Sequence, residues 1–154
     1  MNSIEPNINL NQAFFSPGDD CLNHIIDLIS KAKTHLDICV FTISDDRISR
    51  ALLRAKHDGL EIKIITDNDK VLDTGSDIKN LSNEGIPVKV DNTPNHMHHK
   101  FMIVDRKIIL TGSYNWTRSA AMYNQENVLS TNDKILANKF SEEFDKLWLA
   151  CDKF

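Results

Sequence analysis

Short apolar runs alternate with segments of helical periodicity along this chain, and the alternation limits the folds open to it. The apolar runs have the length of buried strands and are too short for ordinary helices. Between them, apolar residues recur at the spacing that lines one face of a helix. Strand–helix alternation followed by a hairpin and a closing helix predicts an α/β fold, with a mixed, mostly central β-sheet flanked by helices on both faces.

Capping residues, glycines and apolar spacing set the predicted element boundaries. The predicted strands cover residues 12–16, 36–43, 61–66, 86–90, 98–104, 108–111 and 127–130. The predicted helices begin at Asp19 or Asp20, at residues 44–46, at Ser76 and after Asn132. The polar segment 67–75 predicts a mobile loop. The apolar face of the closing helix is predicted to hold Ile135, Leu136, Phe140, Phe144, Leu147, Trp148 and Cys151.

The length of 154 residues fits a single domain over residues 1–154, with a substantial core. No apolar run approaches the roughly 20 residues that cross a bilayer, and residues 1–7 lack the features of a signal peptide. The cysteines Cys21, Cys39 and Cys151 lack the spacing of a disulfide framework or a zinc site. We therefore expect a cytoplasmic protein without stable membrane association.

The formal net charge is −4, which does not favour a protein that coats nucleic acid. The charge is unevenly spread, however, because the segment from His96 to Arg118 is locally basic. It contains one acid, Asp105, and the cations Lys100, Arg106, Lys107 and Arg118. A local basic site on an acidic body suits transient contact with a phosphodiester.

Residues 98–105 carry a histidine, a lysine and an aspartate in the pattern H-x-K-x-x-x-x-D. Alternate side chains of a strand share one face, so His98 and Lys100 are predicted to emerge together. Lys100 supplies a fixed positive charge for a phosphate oxygen, and a neutral His98 imidazole can attack phosphorus. Ser113 and Asn115 follow, and both can donate hydrogen bonds to the same phosphate, which Gly112 would let the backbone approach.

Together these residues resemble the HKD signature of the phospholipase D superfamily, in its single-motif, bacterial Nuc-like nuclease branch. The resemblance covers most of the chain and implies the phospholipase D/nuclease fold. It also implies a phosphohistidine intermediate, in which one histidine attacks and a second protonates the leaving oxygen. Because the chain has one such motif, the second His98 would come from another copy, in a homodimer with a composite site that needs no metal or other cofactor.

The resemblance also assigns roles to single residues. A carboxylate after the G-S-x-N element orients the histidine in the family, which implies this role for Glu126. Asp105 completes the motif, although we expect its function to be structural. The implied catalytic residues are His98, Lys100, Asp105, Asn115 and Glu126. The implied substrate-binding residues are His96, Lys100, Ser113, Asn115, Trp116 and Arg118.

Some of these assignments have alternatives. His96 could line the cleft, be solvated, or bind a metal with the neighbouring histidines. Metal binding is disfavoured because no carboxylate or cysteine stands at suitable spacing and Lys100 would repel a cation. Trp116 could stack on a base, pack across a dimer or belong to the core. Arg118 could contact a neighbouring phosphate or be an ordinary surface arginine.

These observations predict a metal-independent phosphodiesterase, most simply an endonuclease. We expect it to be sequence-nonspecific, since no base-reading element is visible. We therefore expect nucleic acid, DNA or RNA, as the substrate. A phospholipase that uses the same site, and a nucleic-acid-binding module without turnover, are the alternatives. Family members of the animal mitochondrial type carry an N-terminal membrane anchor and a small zinc-binding insert. Neither is visible in this sequence, which favours the bacterial type.

Overall fold

The computed structural model describes residues 10–154, so the signal-peptide prediction for residues 1–7 lies outside the described part of the chain. The strands are β1 Asn11–Phe15, β2 His35–Val40, β3 Glu61–Thr66, β4 Val88–Val90, β5 Lys100–Val104, β6 Ile108–Gly112, β7 Asn127–Thr131 and β8 Asp152–Lys153. The helices are α1 Asp20–Lys31, α2 Asp46–His57, α3 Ile78–Asn83, α4 Arg118–Met122 and α5 Lys134–Ala150.

The described strands form one eight-stranded sheet in the order β1-β7-β6-β5-β2-β3-β4-β8. Strands β2, β3 and β4 are parallel neighbours, whereas β5, β6 and β7 form an antiparallel meander. The mixed sheet predicted from the strand–helix alternation is confirmed. Two short elements, α4 and β8, have no sequence signal, because neither is long enough to show a periodicity.

The sheet separates two apolar cores, because successive side chains of a strand point to opposite faces. On β5, Met102 and Val104 pack into the larger core with α1 and α2. Phe101 and Ile103 pack into the smaller core with α5. The predicted division of the motif strand into two faces, and of the helices onto both faces of the sheet, is therefore confirmed.

The helix starts follow their sequence signals closely. The Asp45 side chain accepts a hydrogen bond from the Arg47 backbone N–H at 3.0 Å, which caps α2 where its sequence predicts. Helix α1 begins at Asp20 as predicted, although Asp19 makes no side-chain capping hydrogen bond. Within residues 10–154, no helix has both the length and the apolar character needed to cross a membrane.

Two predicted features differ from the structure. The first apolar positions of α5, Ile135 and Leu136, are exposed, because the helix meets the sheet only from Ala137 onward. The polar segment 67–75 contains a 3-10 turn, Lys70–Leu72, and begins with the fully buried Asp67. It is therefore tied to the sheet at its first residue, which the polar sequence does not predict.

Candidate active site

His98 and Lys100 lie at the start of β5, beside β2. The strand begins at Lys100, so the prediction that it includes His98 is wrong by two residues. A hydrogen bond from the Phe41 backbone N–H to the His99 carbonyl, at 2.9 Å, extends the pairing of β2 with β5 and fixes the backbone between the two motif residues. Their side chains meet as predicted, with Lys100 Nζ 3.3 Å from His98 Nδ1.

Lys100 defines the setting of the His98 imidazole. Its ammonium donates to the His98 carbonyl at 2.8 Å as well as facing Nδ1. Because an ammonium can only donate, Nδ1 acts as the acceptor in this arrangement. Desolvation, followed by the charge of Lys100, holds the pKa of His98 below its ordinary value. The imidazole is therefore neutral near pH 7, as the predicted role of a nucleophile requires.

Phe41, directly after β2, is the centre of the site, and the sequence carries no signal for it. The rings of His98 and His96 meet Phe41 edge-on, with centroids 4.7 and 5.4 Å away. The ammonium groups of Lys100 and Lys70 lie 5.4 and 5.5 Å from its ring centroid, within cation–π range. One ring therefore gathers two imidazoles and two ammonium groups from separate segments.

His96 is positioned by Asp67, a carboxylate at the end of β3 that the sequence does not single out. Asp67 is 0% exposed, and its Oδ2 accepts hydrogen bonds from His96 Nδ1 at 3.2 Å and from the Met97 backbone N–H at 3.0 Å. A carboxylate that accepts from Nδ1 fixes which ring nitrogen carries the proton. His96 therefore lies at the site in a defined orientation, which agrees with its predicted place in the cleft.

The prediction that no carboxylate lies near these histidines is wrong. Asp67, Asp69 and His96 each have one atom that could bind a metal ion, and these three atoms lie within 4.8 Å of one another. However, the Asp67 oxygens already accept hydrogen bonds from four donors, the backbone N–H groups of Asp69, Lys70 and Met97 and the ring of His96. A carboxylate has about four acceptor positions, so Asp67 serves as an anchor for the loop and for His96.

Ser113 and Glu126 lie side by side at the facing ends of β6 and β7. The Ser113 hydroxyl donates to Glu126 Oε2, and Asn124 Nδ2 donates to Oε1 at 3.2 Å. Attraction to Glu126 opposes the desolvation that lowers the pKa of Lys100. Among the described hydrogen bonds, none joins Glu126 to His98, so a single chain does not make the orienting contact implied for this carboxylate.

Asn115 lies in a polar cavity of about 280 Å³, which Phe41 also lines. The Asn115 Oδ1 is buried and has no hydrogen-bond partner among the described groups. Buried polar atoms without a partner are rare and mark places where a ligand or water belongs. The unpaired atom is an acceptor, whereas donation to a phosphate would come from Nδ2, so the substrate-binding role of Asn115 stays a prediction. A second cavity of about 450 Å³ is lined by His96, His98 and His99.

Gly112 has a different function from the one predicted. A Cβ atom at this position would lie 2.0 Å from the backbone oxygen of Asn127. The missing side chain therefore allows β6 to approach β7, where the Ser113 backbone N–H donates to the same oxygen at 3.1 Å. The close approach is to the neighbouring strand, and it sets the position of Ser113.

Asp105 has the structural setting that the sequence leads us to expect. Its carboxylate accepts hydrogen bonds from the backbone N–H groups of Lys33, Thr34 and His35 at 2.7–3.1 Å. Partial burial raises its pKa, but these donors outweigh burial and hold the pKa below its ordinary value. Asp105 lies at the end of β5 remote from Lys100, so it ties the β5–β6 turn to the start of β2.

The arginines of the basic segment do not add charge to the site. Arg106 pairs with the buried Asp37 at 2.8 Å and with Asp145 on α5 at 2.8 Å, at the far end of β5. Arg118 pairs with Asp46 at the start of α2. The local basic site predicted for residues 96–118 therefore rests on Lys100 rather than on Arg106 and Arg118, which are paired with acids.

Trp116 does not face the site. Its side chain is 0% exposed in the larger core, and its backbone N–H and carbonyl pair with residues 42, 44 and 45. The proposed roles in base stacking and dimer packing are therefore wrong, and the core alternative is confirmed. Trp116 instead fixes the loop that carries Asn115.

A motif of this kind, at the start of a central strand of a mixed sheet, defines the class: a single-motif domain of the phospholipase D superfamily. The family model described as "Cardiolipin synthase, PLD-like domain" matches residues 25–148. The chain belongs to this family of PLD-like domains.

Two solved bacterial structures resemble the chain over nearly its whole length. Nuc from Salmonella typhimurium, a phospholipase D family member, has a TM-score of 0.89 at 28% identity, covering 95% of this chain and 98% of that chain. NucT from Helicobacter pylori has a TM-score of 0.85 at 27% identity, covering 95% and 99%. The predicted fold and the resemblance to the single-motif, Nuc-like branch are confirmed.

The curated proteins that resemble the chain include several named mitochondrial cardiolipin hydrolase, rather than Nuc. Mitochondrial cardiolipin hydrolase from Chlamydomonas reinhardtii is 46% identical over 127 residues, covering 82% of this chain and 57% of that protein. The human protein of the same name is 38% identical over 131 residues, covering 85% and 52%. The chain thus spans little more than half of these relatives. Their identities exceed those of the bacterial structures, so identity does not favour the bacterial type or a cytoplasmic location.

Proposed function

We propose that this chain is a metal-independent phosphodiesterase that cleaves nucleic acid as an endonuclease, through a phosphohistidine formed on His98. One observation carries the proposal: a neutral, exposed imidazole lies 3.3 Å from an ammonium that can bind a phosphate oxygen, and the imidazole lines an open cavity of about 450 Å³. A phosphodiester that enters this cavity reaches the imidazole.

In the proposed reaction, His98 Nε2 attacks phosphorus, so that an N–P bond forms and the P–O bond to the leaving strand breaks. Lys100 and Asn115 stabilise the charge that develops on the phosphoryl oxygens. A second imidazole donates a proton to the leaving oxygen. Water then attacks the phosphohistidine, which releases the phosphate and restores His98.

A single chain does not supply all the groups that this reaction needs. His98 Nδ1 faces the Lys100 ammonium, whereas a nucleophilic Nε2 requires an acceptor at Nδ1. Glu126 is held by Ser113 and Asn124 of its own chain, so it must exchange these partners before it can accept from Nδ1 of His98. The second imidazole must come from another copy. We therefore propose a homodimer whose site combines His98 of both copies.

Hydrolysis of a phospholipid is the second candidate function, because relatives of 38–46% identity are named mitochondrial cardiolipin hydrolase. Three large apolar side chains in the neighbourhood of Glu126 are exposed: Phe15 by 67%, Met122 by 54% and Tyr123 by 73%. Phe15 pairs with Asn127 on β7, and the other two precede Glu126 in the chain. Exposed apolar groups of this kind can contact a lipid surface. The polar lining of the cavity at Asn115 favours nucleic acid as the first candidate.

The direct test compares single-stranded DNA, single-stranded RNA and cardiolipin vesicles as substrates, in excess EDTA. Wild type is expected to cleave a nucleic acid, and His98→Ala is expected to lose the activity. His57→Ala is the matched control, because His57 is exposed at the end of α2 and lines neither cavity. Hydrolysis of cardiolipin with no cleavage of nucleic acid would replace the first candidate by the second, and loss of all activity in EDTA would reject the metal-independent mechanism.

A further inference from the structure

The cavity next to Asn115 contains a charged pair that the proposed reaction does not use. Most of its lining is neutral and polar, with hydroxyl groups from Thr42, Ser44 and Ser76 among others. The charged residues among those that line it are Lys70 and Asp73. Both belong to the segment after β3, which the sequence presents only as a polar loop.

Lys70 lies close to the motif without contacting His98. Its ammonium and that of Lys100 are at 5.5 and 5.4 Å from the centroid of the Phe41 ring, so both cations lie beside the same aromatic side chain. Phe41 also lines the cavity together with Asn115. A chain that leaves the scissile phosphate through this cavity therefore meets a second positive charge.

Asp73 holds Lys70 in the free protein by a contact that a ligand can replace. The two side chains pair at 2.8 Å, and they are 32% and 52% exposed. The Asp73 carboxylate raises the pKa of Lys70, so the ammonium is charged at any physiological pH. Exposed pairs of this kind contribute little to stability. A phosphate can therefore displace the carboxylate without a large loss of stability.

We propose that Lys70 binds the phosphate adjacent to the scissile one, and that Asp73 competes with that phosphate. The inference rests on the proposed nuclease function and specifies its substrate class: a strand with successive phosphodiesters, in preference to an isolated phosphodiester. Lys100 contacts the reacting phosphate, and the cavity between Asn115 and Lys70 contains the intervening nucleoside. Phosphate contacts position a strand without reading its sequence, so the subsite adds affinity and no base preference.

The test compares two substrates in EDTA: a single-stranded oligonucleotide, and bis(p-nitrophenyl) phosphate, which has one phosphodiester and no flanking phosphate. For Lys70→Gln, the ratio of kcat/KM for the oligonucleotide to that for the small diester is expected to fall roughly tenfold, the effect of one charge-assisted contact. The salt dependence of log KM is expected to weaken by about 0.7–1, the contribution of one phosphate contact. Asp73→Asn is expected to change the ratio in the opposite direction.

Lys79→Gln is the matched control, because Lys79 is an exposed lysine on α3 that does not line the cavity. The subsite is rejected if wild type cleaves the oligonucleotide and Lys70→Gln has the same substrate ratio and salt dependence as wild type. It is also rejected if Asp73→Asn and Lys70→Gln shift the ratio in the same direction. Rejection of the proposed nuclease function is a different outcome from rejection of the subsite alone. In that case wild type itself does not cleave the oligonucleotide, and the proposed subsite is rejected together with the function.

Discussion

His98 is exposed to solvent, yet local desolvation and then the neighbouring Lys100 hold its pKa below the ordinary value. The two effects act in the same direction, because burial and a nearby cation both disfavour the imidazolium. A nucleophile needs a neutral ring, and Nε2 has a free electron pair only when the ring proton lies on Nδ1. The cation that is expected to bind phosphate therefore helps to keep the ring neutral, but the attack also requires Lys100 to leave Nδ1 so that Nδ1 can carry the proton.

This setting predicts the titration of His98. Its pKa is expected to lie below the ordinary value of about 6.5, so the imidazole loses its proton at lower pH than a histidine in the unfolded chain. Heteronuclear NMR of the ring nitrogens, with His98→Ala to assign the signal, measures this directly. A pKa at or above the ordinary value of about 6.5 would contradict the electrostatic setting described for the site.

The sequence predicts only some of the residues at the site, for a physical reason. His98 and Lys100 can be identified because the chemistry and the spacing lie within one short segment. Phe41, Asp67 and Lys70 approach them only because β5 pairs with β2 and β2 pairs with β3. A single sequence contains no signal for that order of strands, and a phenylalanine after a buried strand predicts only packing.

At the scale of elements, the β5–β6 hairpin links the motif to the rest of the sheet. Asp105 and Arg106 have φ angles of 53° and 57°, in the left-handed region, as tight hairpin turns require. Asp105 also joins the turn to residues 33–35, and Arg106 joins it to β2 and α5. The apolar pattern predicts the strands of this hairpin, whereas these polar contacts depend on the folded chain.

Asp105→Asn is expected to destabilise the fold by roughly 1–3 kcal/mol at pH 7, because a carboxylate that accepts several backbone hydrogen bonds is lost. Asparagine tolerates the left-handed conformation, so the change does not add backbone strain. The pKa of Asp105 is lowered in the folded state, so its contribution is present above the unfolded pKa of about 3.9 and is lost as the pH falls through the folded value.

Urea unfolding of wild type and Asp105→Asn at several pH values measures this contribution. The difference in unfolding free energy is expected to be largest near neutral pH and to shrink in acid. The control is Lys107→Asn, in the same turn, where little change is expected. Equal stabilities of wild type and Asp105→Asn at pH 7 would show that the carboxylate does not hold the turn.

At the scale of the whole molecule, one chain does not supply every group that the proposed reaction needs, which is the reason for proposing a dimer. Glu126 has partners within its own chain, and Nδ1 of His98 faces a cation. The net charge of −4 is not offset by a broad basic surface, since Arg106 and Arg118 are paired with acids. A composite site that concentrates two copies of Lys100 would therefore matter more for substrate binding than overall charge.

Mixing experiments test the composite site. Wild type and His98→Ala are unfolded together in equal amounts and refolded, so that random pairing leaves about half of the wild-type chains in wild-type dimers. If each site needs His98 from both copies, activity per wild-type chain is expected to fall to about one half. Unchanged activity per wild-type chain would show that one chain carries a complete site.

The most direct test of the central claim is to trap the covalent intermediate. An oligonucleotide labelled with ³²P at the scissile phosphate is mixed with wild type in EDTA and quenched by denaturation in alkali, in which phosphohistidine is stable. We expect labelled protein with wild type and His57→Ala, no label with His98→Ala, and loss of the label in acid. Cleavage of the oligonucleotide by wild type without any label on His98 would contradict the proposed mechanism.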